Sequence, residues 1–511
     1  MKLLITFKGI TIILIASNLM LISSLLLNSI SFFALAEFLT GLVGLLTLVG
    51  NFIYLKTQFH FLNLLSASTL IGTGLGTFST YTNTPTVLGT DWSTYVGTLG
   101  ISVSSVTTAQ IIVNFFCLFL NIFGYWSTNQ SDKTTRSMTR PSYTEQMLGQ
   151  IRKLSTELDT CYTLLLIAGL VSLLQAYVLA TGMYSYRGFN DNDGVINPFA
   201  GLVVSASPLA VFSLGLLSSK FKLLQTKLNK NLIFIVFAAS ISLQLIWFLG
   251  TGRRDLVYAA ILFLFGLRCS YIVNKNIVNK TNLKLLLIFL LVLPFLYFCL
   301  KFFMFIRVLS YREPLLLKSN LFDIVSYAWS EYISSDSQFL DRVQEKESYN
   351  LSTRTFVLNY LAALIQAASD KQPLYGQDIF SNVLNALPRF IFSDKSSLLM
   401  NEPLYRYEYG LPNIDSANSL YFSAYGDFSW LGTVIYPLIL FIVFYIAAKF
   451  FLFSSSPYFI VLAFSSLIQI SLSGGENDIT SWIVTLRNLI IFFLIFEFSH
   501  FISLLRKQKY Y

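Results

Sequence analysis

Long unbroken apolar runs constrain this chain more than any other feature. Runs of about 17–25 residues, the length that crosses a bilayer core as a helix, recur near 9–28, 31–55, 60–80, 100–126, 160–182, 199–218, 232–250, 256–274, 285–306, 429–453, 458–473 and 480–503. A helix satisfies its own backbone hydrogen bonds, which lipid cannot do for it. The expected fold is therefore an all-α polytopic membrane protein with about 12 transmembrane helices. Composition agrees: 12% of the residues are charged, against about 25% in a soluble domain, and mean hydropathy is +0.63. The first run follows Lys2 and Lys8. It is too long for a signal-peptide core and no small-residue cleavage pattern follows it, so a retained helix is expected.

The net charge of +9 is a topology signal in such a chain and not a nucleic-acid signal, because Lys and Arg collect in cytoplasmic loops. Segment 128–159 holds Lys133, Arg136, Arg140, Arg152 and Lys153; segment 219–231 holds four lysines; Arg506, Lys507 and Lys509 close the chain. With twelve alternating helices these segments share one side. The opposite loops 81–99 and 474–479 carry Asp91, Glu476 and Asp478 and no Lys or Arg. Both termini are expected in the cytoplasm. The cysteines Cys117, Cys161, Cys269 and Cys299 sit in or beside apolar runs, where an isolated cysteine acts as a small hydrophobe. Neither a disulfide framework nor a metal site is expected.

Against this bias stands Gly252-Arg253-Arg254-Asp255, a polar knot between two apolar runs on the expected outer side. Two readings stay open. The arginines snorkel to lipid phosphates, or they clamp a phosphate or pyrophosphate, since the guanidinium plane pairs bidentately with phosphate oxygens. Arg487 in "SWIVTLRNLIIFF" lies about two turns inside the last helix. It needs a partner or a wet cavity. The options are a helix polar group such as Gln244 or a phosphate shared with Arg253 and Arg254.

The chain divides into 1–306, with nine spans, a large outer loop at 307–428, and 429–511, with three spans. Loops beyond about 12–15 residues are usually functional or disordered, and this one is rich in Tyr, Phe and Leu, unlike a disordered tract. "STRTFVLNYLAALIQAASD" has helical apolar spacing with Thr353 at its start, which predicts an amphipathic helix on the outer leaflet or the helix tops. "GQDIFSNVLNAL" predicts a second helix, ended by Pro388. The loop also carries Arg389, Asp336 and the cluster "LYRYEYG" with Tyr405, Tyr407, Glu408 and Tyr409. Aromatic faces beside charges suit a sugar; a solvated surface with belt aromatics is the plainer reading.

The two histidines, His60 and His500, both fall toward the expected cytoplasmic ends. No Walker loop or dinucleotide fingerprint follows a strand, so no cofactor is expected. "NDNDG" at Asn190–Gly194 has an Asp-x-Asp spacing but reads as a solvated turn. The tiny first outer loop, near Asn28 to Ser31, has no acid, unlike the dolichol-sugar transferases.

Three local segments carry a resemblance: "GRR" at Gly252–Arg254, "YGQDIFSNVLNALPRFIFSDK" at Tyr375–Lys395 and "SAYGDFSWLG" at Ser423–Gly432. With about a dozen helices, cytoplasmic termini and one large late loop, the chain resembles the Wzy-type polymerases of bacterial surface glycans. The resemblance implies a GT-C-like fold in the bacterial inner membrane, with the large loop periplasmic. It implies transfer of a growing glycan from undecaprenyl pyrophosphate to an incoming lipid-linked repeat unit, without metal or nucleotide. Arg253, Arg254, Arg389 and Arg487 would hold the pyrophosphate, Glu408 or Asp336 would take the acceptor proton, and Tyr405, Tyr407 and Tyr409 would stack on sugars. The implied partners are the lipid-linked oligosaccharide, the bilayer, a chain-length regulator and a flippase, with no nucleic acid. O-antigen ligases use a histidine in this loop; none lies between 307 and 428. A flippase of the same substrate is the main alternative. Carriers place their site near the midplane and show repeat symmetry, whereas here the unusual charges lie outward and no half-to-half match is evident. A scaffold of an export complex is a third reading.

Overall fold

The computed structural model describes residues 7–27, 29–55, 59–78, 102–133, 143–181, 198–220, 230–251, 253–271, 321–334, 356–387, 398–411, 419–473 and 479–508, with isolated positions near 183, 224, 298–309, 341–343 and 391–395. The secondary structure of these residues is helical, with no strand among them. Nine helices among them are long and apolar enough to cross a membrane: Phe7–Leu27, Ser31–Ile53, Phe61–Phe78, Ser104–Ser127, Leu158–Ala180, Phe199–Ser218, Asn231–Phe248, Leu420–Leu452 and Ile479–Ser499. The chain is thus an all-helical, multi-pass membrane protein. Three of the twelve expected runs are not among the nine. Run 256–274 forms the helix Arg253–Tyr271, which carries Arg253, Arg254, Asp255 and Arg268. Run 458–473 forms a shorter apolar helix, Pro457–Ser473. Run 285–306 falls largely outside the described residues.

In chain order the helices are α1 (Phe7–Leu27), α2 (Ile30–Ile53), α3 (Phe61–Leu70, continued through a π turn at Ile71–Leu75), α4 (Val103–Lys133), α5 (Tyr143–Leu154), α6 (Leu158–Ala180), α7 (Pro198–Ser218), α8 (Lys230–Thr251), α9 (Arg253–Tyr271), α10 (Leu321–Ser334), α11 (Phe356–Ala367), α12 (Gln377–Ala386), α13 (Asn401–Tyr409), α14 (Leu420–Phe428), α15 (Gly432–Leu452), α16 (Pro457–Ser473) and α17 (Ile479–Gln508). They form two compact units, one of residues 1–145, 348–452 and 470–491, the other of 146–347, 453–469 and 492–511. The division cuts across the expected outer loop, whose part up to 347 belongs to the second unit and whose remainder belongs to the first.

In the first unit α4 is the hub: α1, α3, α11, α14 and α15 all pack against it. α11 is where the expected amphipathic loop helix lies. Leu358, Asn359, Tyr360, Leu361, Ala362 and Leu364 are all buried. With only Asn359 and Gln366 polar in FVLNYLAALIQA, the helix is apolar nearly all round, and such a helix is buried and not laid on a surface. The second unit is built on α6, α7, α8 and α9. Gly215 and Gly266 bring α7 and α9 together; a Cβ on either would meet the facing carbonyl, Phe263 O at 2.1 Å or Phe212 O at 2.2 Å. Small residues at a helix interface allow this close approach in lipid. On α6 the residues Leu166, Leu170, Leu173 and Tyr177 form an exposed stripe, while Ser172 and Gln175 on its other side bond Gln244 of α8. α10 packs on an apolar cluster that includes Phe302, Phe305, Ile306 and Leu309.

Candidate functional site

The chain enters α12 through two residues of positive φ, Tyr375 at 52° and Gly376 at 88°. A Cβ at 376 would also meet the Phe428 ring at 3.2 Å, so glycine serves both the backbone and the packing here. The reversal is pinned to the end of α14: Leu374 N donates to Gly426 O at 3.1 Å and Tyr375 N to Asp427 O at 2.7 Å. Gly376 offers no side-chain cap, and the cap comes instead from α14. The Asp427 carboxylate accepts from Asp378 N at 3.1 Å, from Ile379 N at 3.4 Å and from the Tyr436 hydroxyl at 2.7 Å. A carboxylate at a helix N-terminus meets unpaired N–H groups and the positive end of the dipole.

A second carboxylate stands in the same first turn. Asp378 is fully buried. One oxygen accepts from Asn401 N at 2.7 Å and Asn382 Nδ2 at 2.9 Å, and the other from the Tyr405 hydroxyl at 2.9 Å. The network continues through Asn382 and Asn401 to Thr480 at the start of α17. Asn401 Nδ2 donates to Thr480 Oγ1 at 3.1 Å, and the Thr480 hydroxyl reaches Asn382 Oδ1. Buried polar networks fully satisfied in this way rigidify a unique arrangement. It fixes α12, α13, α14, α15 and the start of α17 to one another.

The other end of α12 collects cations. Arg487, from α17, donates to Ala386 O at 3.3 Å and to the Asn488 side chain. Lys395 donates to Leu387 O at 2.5 Å and to Asn385 O. Helix C-terminal carbonyls carry the negative end of the dipole, so each cation lies where it stabilises the helix. Arg487 is exposed as a residue. Gln244 of the second unit bonds Ser172 and Gln175. Pro388-Arg389 follows directly in the chain. Arg389 lies outside the described residues, as does Asp336.

The three tyrosines expected to face sugars divide. They lie on α13, where positions 405 and 409 share one face and 407 points the other way. Tyr405 and Tyr409 are buried and Tyr407 is exposed at 75%. Tyr405 has no open ring face: its ring packs edge-on against Phe422 at 4.8 Å, and Gly426 lies against it so closely that a Cβ there would be 2.2 Å from the ring. Burial, then the negative charge of Asp378, raises its phenol well above the ordinary value. Tyr409 donates toward Gln372 O and Gly426 O, both at 3.1 Å. Burial first, then Asp427 and Glu408, pushes it up to about 12. Both phenols therefore remain protonated donors. Only Tyr407 keeps a face open to a ligand. Half-buried Glu408, in the last turn of α13, receives Lys371 on its backbone carbonyl at 2.6 Å.

Arg253 and Arg254 belong to the second unit, where they open α9. Sequence reasoning did not single out Asp378 or Asn382. A helix-start acid in "GQDIF" was their one local signal. Among the described residues no group of three or more His, Cys, Asp or Glu is placed to hold a metal ion. Comparison with protein-family models, with curated proteins and with solved structures returns no match for this chain.

Proposed function

We propose that this chain polymerises lipid-linked oligosaccharide repeat units at the outer face of a bacterial inner membrane. The proposal includes about 12 spans with both termini cytoplasmic and a GT-C-like fold, as the sequence resemblance implies. A hydroxyl of the incoming repeat unit attacks the anomeric carbon of the donor's reducing-end sugar. The bond from that carbon to the lipid pyrophosphate breaks as the new glycosidic bond forms. The hydroxyl proton passes to a carboxylate, for which Glu408 and Asp336 are the candidates. Negative charge grows on the leaving pyrophosphate, and preorganised guanidiniums stabilise it. Arg253, Arg254, Arg389 and Arg487 are assigned to that task, with Arg389 acting as the mobile member. Tyr407 is the one tyrosine of the trio retained as a sugar platform.

The observation that supports this reading best is the meeting of Arg487 and Lys395, from different segments of the chain, on the carbonyls of residues 385–387, directly before Pro388-Arg389. A cationic rim of this kind suits an anionic headgroup. The test is a proteoliposome assay with a synthetic lipid-linked repeat unit and neither nucleotide nor metal. A glycan ladder supports the proposal. A second reading, a flippase for the same lipid, draws on the buried polar cluster of α1–α4 described below. Transbilayer movement of the substrate without a ladder would select it.

A further inference from the structure

Glu37 stands in α2, inside the candidate span Ser31–Ile53, and is fully buried. Neither of its carboxylate oxygens has a hydrogen-bond partner. An acid inside a membrane bundle is costly to keep and marks a functional position by default. The glycan reaction proposed above does not use it.

Its level in the bundle follows from the contacts. α2 and α3 pack antiparallel. A Cβ on Gly44 would lie 2.7 Å from Ile71 N, and one on Gly74 would lie 2.4 Å from Gly41 N and 2.8 Å from Glu37 O. The Phe38 and Phe78 rings are 5.4 Å apart. The stretch from Thr73 to Thr77 therefore runs beside Glu37. α3 and α4 are antiparallel as well: the Ser66 hydroxyl donates to Cys117 O at 3.3 Å, and Gln110 Nε2 reaches Thr73 Oγ1 at 3.5 Å. Gln110 thus shares the level of Thr73 and of Glu37. One turn along α2, Thr40 bonds Ser17 of α1 at 2.8 Å and Asn114 of α4 at 3.4 Å, and Asn114 also donates to Asn18 at 3.2 Å. That layer is tied.

The layer of Glu37 is not. Both Glu37 oxygens, Gln110 Oε1 and Thr77 Oγ1 are buried without a partner. A carboxylate and an amide carbonyl only accept hydrogen bonds, so these oxygens call for a proton or a cation. Oxygen donors suit hard cations, and one carboxylate balances one charge, which selects a monovalent ion over a divalent one. Thr73 lies within the π turn Ile71–Leu75, a distortion frequent at functional sites. We propose that Glu37, with Gln110, Thr73 and Thr77, forms an intramembrane site for one monovalent cation, a sodium ion or a proton. On α1–α4 the other titratable groups among the described residues are Lys8, Tyr54, His60, Cys117, Tyr125, Asp132 and Lys133; the further helices packed on α4 carry Tyr360 on α11, Tyr421, Tyr425 and Asp427 on α14, and Tyr436, Tyr445 and Lys449 on α15. Those on α2 and α4 lie about two turns or more from Glu37 and Gln110 along the same helix.

The test uses the full chain in detergent. Thermal unfolding is followed in sodium chloride and in choline chloride, from mildly acid to mildly alkaline pH, for wild type, Glu37→Gln and the near-isosteric Thr77→Val. If the ion is sodium, sodium raises the melting temperature of wild type. Its apparent Kd then rises at least about tenfold in Glu37→Gln, equivalent to ~1.4 kcal/mol or more, and rises in Thr77→Val too. If it is a proton, the two salts act alike, the pH dependence of wild-type stability differs from that of Glu37→Gln, which keeps every other titrating group, and the infrared difference between them contains a lost protonated-carboxyl stretch. Should Glu37→Gln fail to fold, the Thr77→Val response decides. Identical responses of wild type and folded variants to sodium and to pH, with no carboxyl stretch lost, overturn the proposal.

Discussion

Asp427→Ala should open α12 locally while the membrane helices stay folded. Three hydrogen bonds end on that carboxylate, from Asp378 N, Ile379 N and the Tyr436 hydroxyl. Two of these bonds hold α12 and the third ties α14 to α15; at about 1 kcal/mol net for each buried bond, the loss to α12 is about 2 kcal/mol. α12 has 10 residues, fewer than the ~12–15 at which an isolated helix is even marginal in water. It cannot absorb the loss through its own propensity, so the cost falls on its local opening equilibrium. A change of ~2 kcal/mol raises the open population roughly thirtyfold. Hydrogen exchange on the purified protein reads this directly at the amides of Asp378 and Ile379. Asp427→Asn keeps the shape but turns an NH2 toward one donor, and it should fall between wild type and alanine. Wild-type exchange at these amides in Asp427→Ala would refute the capping role. So would a simultaneous loss of protection throughout α14 and α15, which would make Asp427 a global support and not a cap.

Tyr405→Phe removes a buried hydroxyl from Asp378 and should cost about 1–3 kcal/mol, read as a lower unfolding midpoint; Tyr407→Ala, at an exposed position, should leave that midpoint unchanged and weaken binding of the glycan substrate. Arg253→Ala with Arg254→Ala should abolish the polymer ladder while protein remains in the membrane, and lysine at both should rescue poorly because the bidentate fork is lost; a full ladder from the double alanine variant would leave them as lipid-snorkelling residues. Burial pushes the buried His60 imidazole down to about 4, and its Nδ1 accepts from Leu62 N at 3.2 Å. The folded pKa is below the unfolded one, so this contribution is present above the ordinary value of 6.5 and is lost as pH falls toward about 4; His60→Asn, which keeps a cap acceptor, should flatten that acid limb in a melting series.

The spans were legible because a run of apolar residues is a one-dimensional signal, and nine of the expected runs form helices that satisfy length and hydropathy together. α9 blurs that signal because four charges stand in 19 residues. The start of α12 was legible as a helix, but its cap was not. Asp427 lies 49 positions from Asp378, and a cap supplied by another segment leaves no local trace. The tyrosines of "LYRYEYG" looked equivalent until α13 supplied a period of 3.6, which turns Tyr405 and Tyr409 inward and Tyr407 outward. Glu37 is conspicuous within "FALAEFLTG" as a single acid in a span. Its unsatisfied oxygens, and those of Gln110 and Thr77, become meaningful only once three helices bring them to one level.

Release of lipid pyrophosphate tests the glycan-polymerase reading most directly. Purified protein in proteoliposomes is given a radiolabelled lipid-linked repeat unit, and free lipid pyrophosphate and glycan length are measured on the same samples. The reading predicts one lipid pyrophosphate released for each glycosidic bond formed, without nucleotide, and a slower release in Arg487→Ala. Substrate that crosses the bilayer intact, or glycan bonds formed without matching release of lipid pyrophosphate, would contradict it.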